Sequence, residues 1–186
     1  MIAVARGATL ASLVMLAACS PQITTPAPQL QVEAPDRHDS PGVGSTQYAR
    51  AASVSVRTVD GRTVTLPDPQ GHPTAVFFMA AWCLPCARGA AMLDELYKQY
   101  RDKGFQVLAV DVDAGETPQE LARFRQLAGN PGYFWAIDEG QRATNAYRVR
   151  SLDATIVINA QGFVVFRSES LPDEGALRQA VAGLFR

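Results

Sequence analysis

The sequence predicts an α/β fold, a central mixed β-sheet flanked by helices, with a β-hairpin ahead of it. Three observations predict this. Short apolar segments rich in β-branched and aromatic residues alternate with stretches whose apolar residues recur at helical spacing. The last such segments, Thr155 to Ile158 and Phe163 to Phe166, flank a tight turn and precede a closing helix, which makes part of the sheet antiparallel. Asp60-Gly61, between two alternating segments, is a strong hairpin signal. With 186 residues, 47% hydrophobic and 19% charged, the chain suits one globular domain with appendages. A net charge of −1 with the two signs interspersed gives no basis for nucleic-acid binding or a polybasic membrane patch.

In chain order, Met1 to Arg6 carries one positive side chain, Gly7 to Ala18 is small and apolar, and Leu16-Ala17-Ala18-Cys19 follows. The run is too short to span a bilayer and has the form of a signal-peptide core. Its ending resembles the bacterial lipobox, in which the cysteine is lipidated and the preceding segment removed. Residues 1–18 are therefore expected to be a lipoprotein signal peptide and Cys19 the lipid anchor; an ordinary secretory signal is the competing reading, and both export the domain. From Ser20 to Ala51, Pro, Gly, Ser, Thr and Gln dominate without apolar periodicity, so residues 19–51 read as a disordered tether in which His38 is solvated. A coil of that length spans roughly 30 Å.

Residues 52–186 hold the predicted domain. Ser53 to Arg57 and Thr63 to Leu66 form the hairpin, and Thr74 to Met79 is an unbroken apolar strand. A helix over about 84–102 presents Met92, Leu93, Leu96, Tyr97 and Tyr100 on one face and stops at Gly104. Phe105 to Val110 is a second buried strand, followed by Asp111 and Asp113 at its C-terminal end. Thr117-Pro118-Gln119-Glu120 is a capping box that opens a helix carrying Leu121, Phe124 and Leu127 and ending near Gly129-Asn130-Pro131. Tyr133 to Ile137 is a third strand and Gln141 to Tyr147 a short helix. The antiparallel pair across Ala160-Gln161-Gly162 and an amphipathic helix from Pro172 to Phe185 complete the chain.

The candidate chemistry lies in Trp82-Cys83-Leu84-Pro85-Cys86, at the junction between the first apolar strand and its helix. A cysteine facing free N–H groups and the positive end of a helix dipole is favoured as thiolate, the nucleophilic form. Cys86, one turn on, can attack a mixed disulfide formed at Cys83, and Pro85 in the first turn loses nothing by lacking an N–H. A dithiol/disulfide exchange pair follows. Two other readings compete: a structural bridge, whose short loop removes little chain entropy, and a structural zinc site, which needs a second Cys or His pair that the chain lacks.

Phe77 to Cys86, the strand Gly104 to Asp111, and Tyr147 to Arg150 running into Thr155 to Asn159 and Gly162 resemble the thioredoxin superfamily, and within it the membrane-anchored TlpA-like disulfide reductases of bacterial envelopes. The resemblance spans roughly residues 52–186. It implies a thioredoxin-like fold, with Cys83 attacking and Cys86 resolving, no cofactor beyond their redox-active disulfide, and substrate contacts at Trp82, Pro85 and Leu152. It also implies a monomer fed by a membrane thiol electron carrier, whose partners are exported proteins with oxidised cysteines, often apocytochromes c or copper-site proteins.

One position departs from the family, which places a cis-proline opposite the disulfide where this chain has Asp153. A cis bond before a non-proline residue costs about 3 kcal/mol, so a trans peptide and an altered loop are expected. Facing the cysteines, Asp153 is the candidate proton relay for Cys86, since Phe77 and Leu84 occupy the two positions where the family places such acids. Without the proline, Cys83, Cys86 and Asp153, with Met79 or His72 approaching, also make a copper-binding module an alternative.

Overall fold

The computed structural model describes residues 48–186, so the signal segment, Cys19 and nearly all of the tether lie outside the described residues. Val54–Arg57 (β1) and Thr63–Leu66 (β2) pair antiparallel as the expected hairpin. The main sheet is built from Thr74–Met79 (β3), Gln106–Asp111 (β4), Phe134–Ile137 (β5), Ala154–Ile158 (β6) and Val164–Ser168 (β7), in the spatial order β5-β4-β3-β6-β7. β3 runs parallel to β4, and β4 to β5, whereas β6 is antiparallel to both β3 and β7. The helices are Cys86–Tyr100 (α1), Pro118–Leu127 (α2), Arg142–Ala146 (α3) and Glu174–Gly183 (α4). The mixed α/β order is as expected, with ends shifted by a residue or two.

β3 is central, and all six of its residues are buried. Side chains alternate between sheet faces, so an unbroken apolar strand needs cover on both. Phe77 and Met79 join a core with Leu93 and Leu96 of α1, Phe124 of α2 and Leu177 and Val181 of α4. Val76 and Phe78 join a second core with Val54, Val56 and Leu66 of the hairpin and Ala143 of α3. The hairpin is tied to the sheet edge by the Thr58–Ala136 bridge, and Tyr147 donates its hydroxyl to the Ala52 carbonyl.

Two local expectations are corrected. α1 begins at Cys86, because the residues ahead of it close i→i+3 turns: Cys86 N–H donates to the Cys83 carbonyl and Ala87 N–H to that of Leu84. It ends at Tyr100, and a 3₁₀ turn over Arg101–Lys103 carries the chain to Gly104, which caps it at φ 90°. Leu127, carried by α2 at the same apolar spacing as Leu121 and Phe124, is 68% exposed, while those two are buried. The capping box is present as predicted, with Glu120 N–H donating to Thr117 Oγ1 and Thr117 N–H donating to the Glu120 carboxylate. Among the described residues no helix is long and apolar enough to cross a membrane.

Candidate active site

β3, the central strand, delivers the motif at its C-terminal end, where ligand chemistry gathers in sheets of this kind. Cys83 N–H donates to the Ala80 carbonyl, Pro85 holds φ −58° and ψ −30° as the N-cap, and Cys86 is the first residue of α1. Cys83 and Cys86 are joined in a disulfide. Cys83 stands before the helix rather than in its first turn, but the bridge places its sulfur against that of the first helical residue.

The N–H groups of Cys86, Ala87 and Arg88 already donate to carbonyls three residues back. The electrostatic help available to a Cys83 thiolate is therefore the macrodipole rather than unpaired N–H groups, and no acidic residue in the first turn of α1 opposes it. The two cysteines differ in exposure. Cys86 is wholly buried, whereas Cys83 is 9% exposed and lies between Trp82 and Leu84, at 63% and 67%. An attacking partner reaches Cys83 first.

The bond before Asp153 is trans, and the cis peptide among the described residues is Leu66–Pro67. Asp153 takes φ 64°, the left-handed region that a non-glycine residue enters at a cost. That turn directs its carboxyl inward. The residue is 8% exposed, Oδ1 is buried without a hydrogen-bond partner, and burial raises the pKa above the usual carboxylate range. Its neighbour is Gly89, one turn of α1 beyond Cys86. A Cβ on Gly89 would stand 2.5 Å from Asp153 Oδ1 and 3.0 Å from the Phe77 ring, so glycine there makes room for both. Leu152 is half-buried against the α1-side core, and Pro85 is exposed.

His72 is placed at the other end of β3, bonded through Nδ1 to Asp68 at 2.7 Å, with Gln106 beside it. A six-residue strand, roughly 20 Å, separates it from the cysteines, so it does not join them as a ligand. Among the described residues no group of three or more His, Cys, Asp or Glu is arranged to hold a metal ion.

The loop after β4 also reaches the motif, and in the sequence it is marked by Asp111 and Asp113 at the end of a buried strand. Glu116 Oε2 accepts the Ala81 N–H at 2.7 Å, and Asp113 Oδ2 accepts the Trp82 indole N–H at 3.2 Å. Asp111 is wholly buried, and its pKa is pushed up to about 8 by burial and by the adjacent Glu116 carboxyl. Ala81, Trp82, Glu116, Arg123 and Leu127 help to line a groove of about 210 Å³ beside the motif.

Comparisons with known proteins agree with this geometry. The AhpC/TSA family profile matches residues 48–167. The chain is 32% identical over 127 residues to the mercury resistance operon ORF3 protein of Streptomyces lividans, covering 67% of this chain and 66% of that one. It is 31% identical over 115 residues to the thiol-disulfide oxidoreductase ResA of Bacillus thuringiensis strain Al Hakam, covering 62% and 65%. The match thus spans just under two thirds of the length of these relatives. A thioredoxin-like protein from Aeropyrum pernix superposes with a TM-score of 0.61 at 26% identity, over 70% of this chain and 89% of that one. A thiol:disulfide interchange protein of the thioredoxin family from Chlorobium tepidum superposes at 0.62 and 23% identity, over 76% and 99%. The fold is thioredoxin-like.

Proposed function

Since the chain belongs to the AhpC/TSA family, we propose that it is a thiol-disulfide oxidoreductase that reduces disulfides of exported proteins. The observation that carries this reading is the Cys83–Cys86 disulfide at the head of α1, with Cys83 9% exposed between two exposed side chains and Cys86 wholly buried. Relatives named as thiol-disulfide oxidoreductases support it.

In the reduced protein the Cys83 thiolate attacks one sulfur of a client disulfide. A mixed disulfide forms and the client's other sulfur leaves as thiolate. Cys86, deprotonated, attacks Cys83 Sγ, the Cys83–Cys86 bridge forms, and the second client thiolate departs. Two electrons pass to the client and its two sulfurs take up protons. Asp153, whose carboxyl lies against Gly89 one turn of α1 beyond Cys86, is assigned the Cys86 proton, and Trp82, Pro85 and Leu152 the client contacts. A dithiol donor must then re-reduce the bridge, the role given to a membrane thiol carrier.

Export and lipidation at Cys19 would hold the domain on the extracytoplasmic side of a bacterial membrane, with apocytochromes c or copper-site proteins as the client type. Equilibration of the purified protein against a thiol buffer tests the direction of electron flow. A potential near or below about −270 mV, the thioredoxin end of the scale, is expected of a reductase; one near about −120 mV would make the pair an oxidant of exported thiols.

A further inference from the structure

We propose that Asp111 and Glu116 form a carboxyl pair that holds a single proton and, through the Ala81 N–H, positions the turn that carries Cys83. The proposal rests on the redox reading above only for the role it gives Cys83.

Asp111 closes β4. Its register neighbours are Met79 on β3 and Ile137 on β5, which bring no charge to it. Asp111 Oδ1 accepts the Asp113 N–H at 3.1 Å, while Oδ2 is buried with no donor of its own. The neighbouring carboxyl is that of Glu116, which returns from the loop to take the Ala81 N–H. A buried carboxylate with a second carboxyl beside it disfavours ionisation of both near neutrality, and the proton kept between them belongs to the pair.

The other charged groups nearby are accounted for. Asp113 is engaged by the Trp82 indole and the Gly115 N–H. Asp138, whose N–H donates to the Asp111 carbonyl, turns its carboxylate to Ala143 and Thr144. Glu120 and Arg123 of α2 share the groove with Glu116, and Glu120 is occupied by Thr117.

With one proton present, Asp111 and Glu116 attract, and Glu116 stays on Ala81. Without it the two anions repel. Asp111 is locked in the sheet, and Glu116, half-buried at an open groove, is the side chain free to leave. Its departure takes the Glu116 acceptor off the Ala81 N–H, two residues before the nucleophile. Glu116 and Asp111 are thus positioning residues; neither is assigned contact with the reacting sulfurs.

The oxidised protein isolates the effect, because disulfide cysteines do not titrate. In ¹⁵N-labelled oxidised protein the Ala81 amide resonance is expected to titrate with a midpoint near 8, and E116Q and D111N each to abolish the titration. A flat resonance between about pH 6 and pH 10, or a titration that survives both variants, overturns the carboxyl pair. In the reduced protein at neutral pH, iodoacetamide alkylation of Cys83 is expected to slow about fivefold or more in E116A and to recover most of its rate in E116Q, which keeps an acceptor oxygen. Equal rates in all three proteins overturn the positioning role. Wild-type protein that fails to reduce any protein disulfide would remove the redox reading and leave the Ala81 titration standing.

Discussion

At the scale of single residues, Asp153 and Gly89 form one unit. An unpaired buried oxygen and a left-handed φ on a non-glycine residue each cost stability, so Asp153 is retained against a local penalty. Proline, fixed near φ −65°, does not fit the observed φ of 64°, so this loop is built for a residue other than the family's usual one. Gly89→Ala places a methyl group into the Asp153 carboxyl and is expected to destabilise by about 1–3 kcal/mol. In an Asp153→Ala background most of that loss should vanish, because alanine is the better helix former by roughly 1 kcal/mol and only the Phe77 ring must still yield. Equal destabilisation in both backgrounds, read from urea melts of the double-mutant cycle, would place the strain at Phe77 alone. Asp153→Asn removes the buried acid while keeping its shape and should lower the thiol titration of the reduced pair; an unchanged titration would end the relay assignment.

At the scale of elements, the signals that proved legible in sequence are local. The Thr117 capping box needs only four residues, and Thr117→Ala is expected to cost about 1 kcal/mol of stability, with the loss confined to the start of α2 in amide exchange. Uniform loss of protection across α1 and the sheet would show that α2 does not open on its own. The same local reasoning found β3, its helix and the cysteine pair, because apolar periodicity and the strand-to-helix junction are both written within twenty residues. It misplaced the start of α1, since the turns over Ala80–Cys86 bond i→i+3 and a proline N-cap resembles a proline in the first turn. Leu127 shares the spacing of Leu121 and Phe124, yet it falls at the rim of the groove that also contains Trp82. The Glu116–Ala81 bond joins residues 35 apart, and no pattern of spacing encodes such a contact. What sequence offered there was weaker: an acid at the end of a buried strand, with a second two residues on.

At the scale of the whole molecule, the buried acids set how stability responds to pH. Asp111, raised to about 8, and Asp153, raised by burial, both bind protons more tightly folded than unfolded. In the window between the ordinary carboxylate pKa, near about 4, and the folded value, the native state holds more protons than the unfolded chain, and stability falls as pH rises. Asp60 and Glu120 act in the opposite sense, lowered by Arg62 and by the Thr117 cap, so they withdraw stability as pH falls below the ordinary carboxylate value. Both are exposed and weakly coupled to the fold, which leaves the buried pair dominant above it. Urea unfolding of the oxidised protein is therefore expected to give a free energy that declines from about pH 5 to about pH 8 and flattens beyond. Asp111→Asn, which mimics the protonated state, should remove most of that slope. A wild-type stability that rises through the same window would mean that Asp111 is already ionised in the fold, and that Glu116 holds Ala81 without the help of a shared proton.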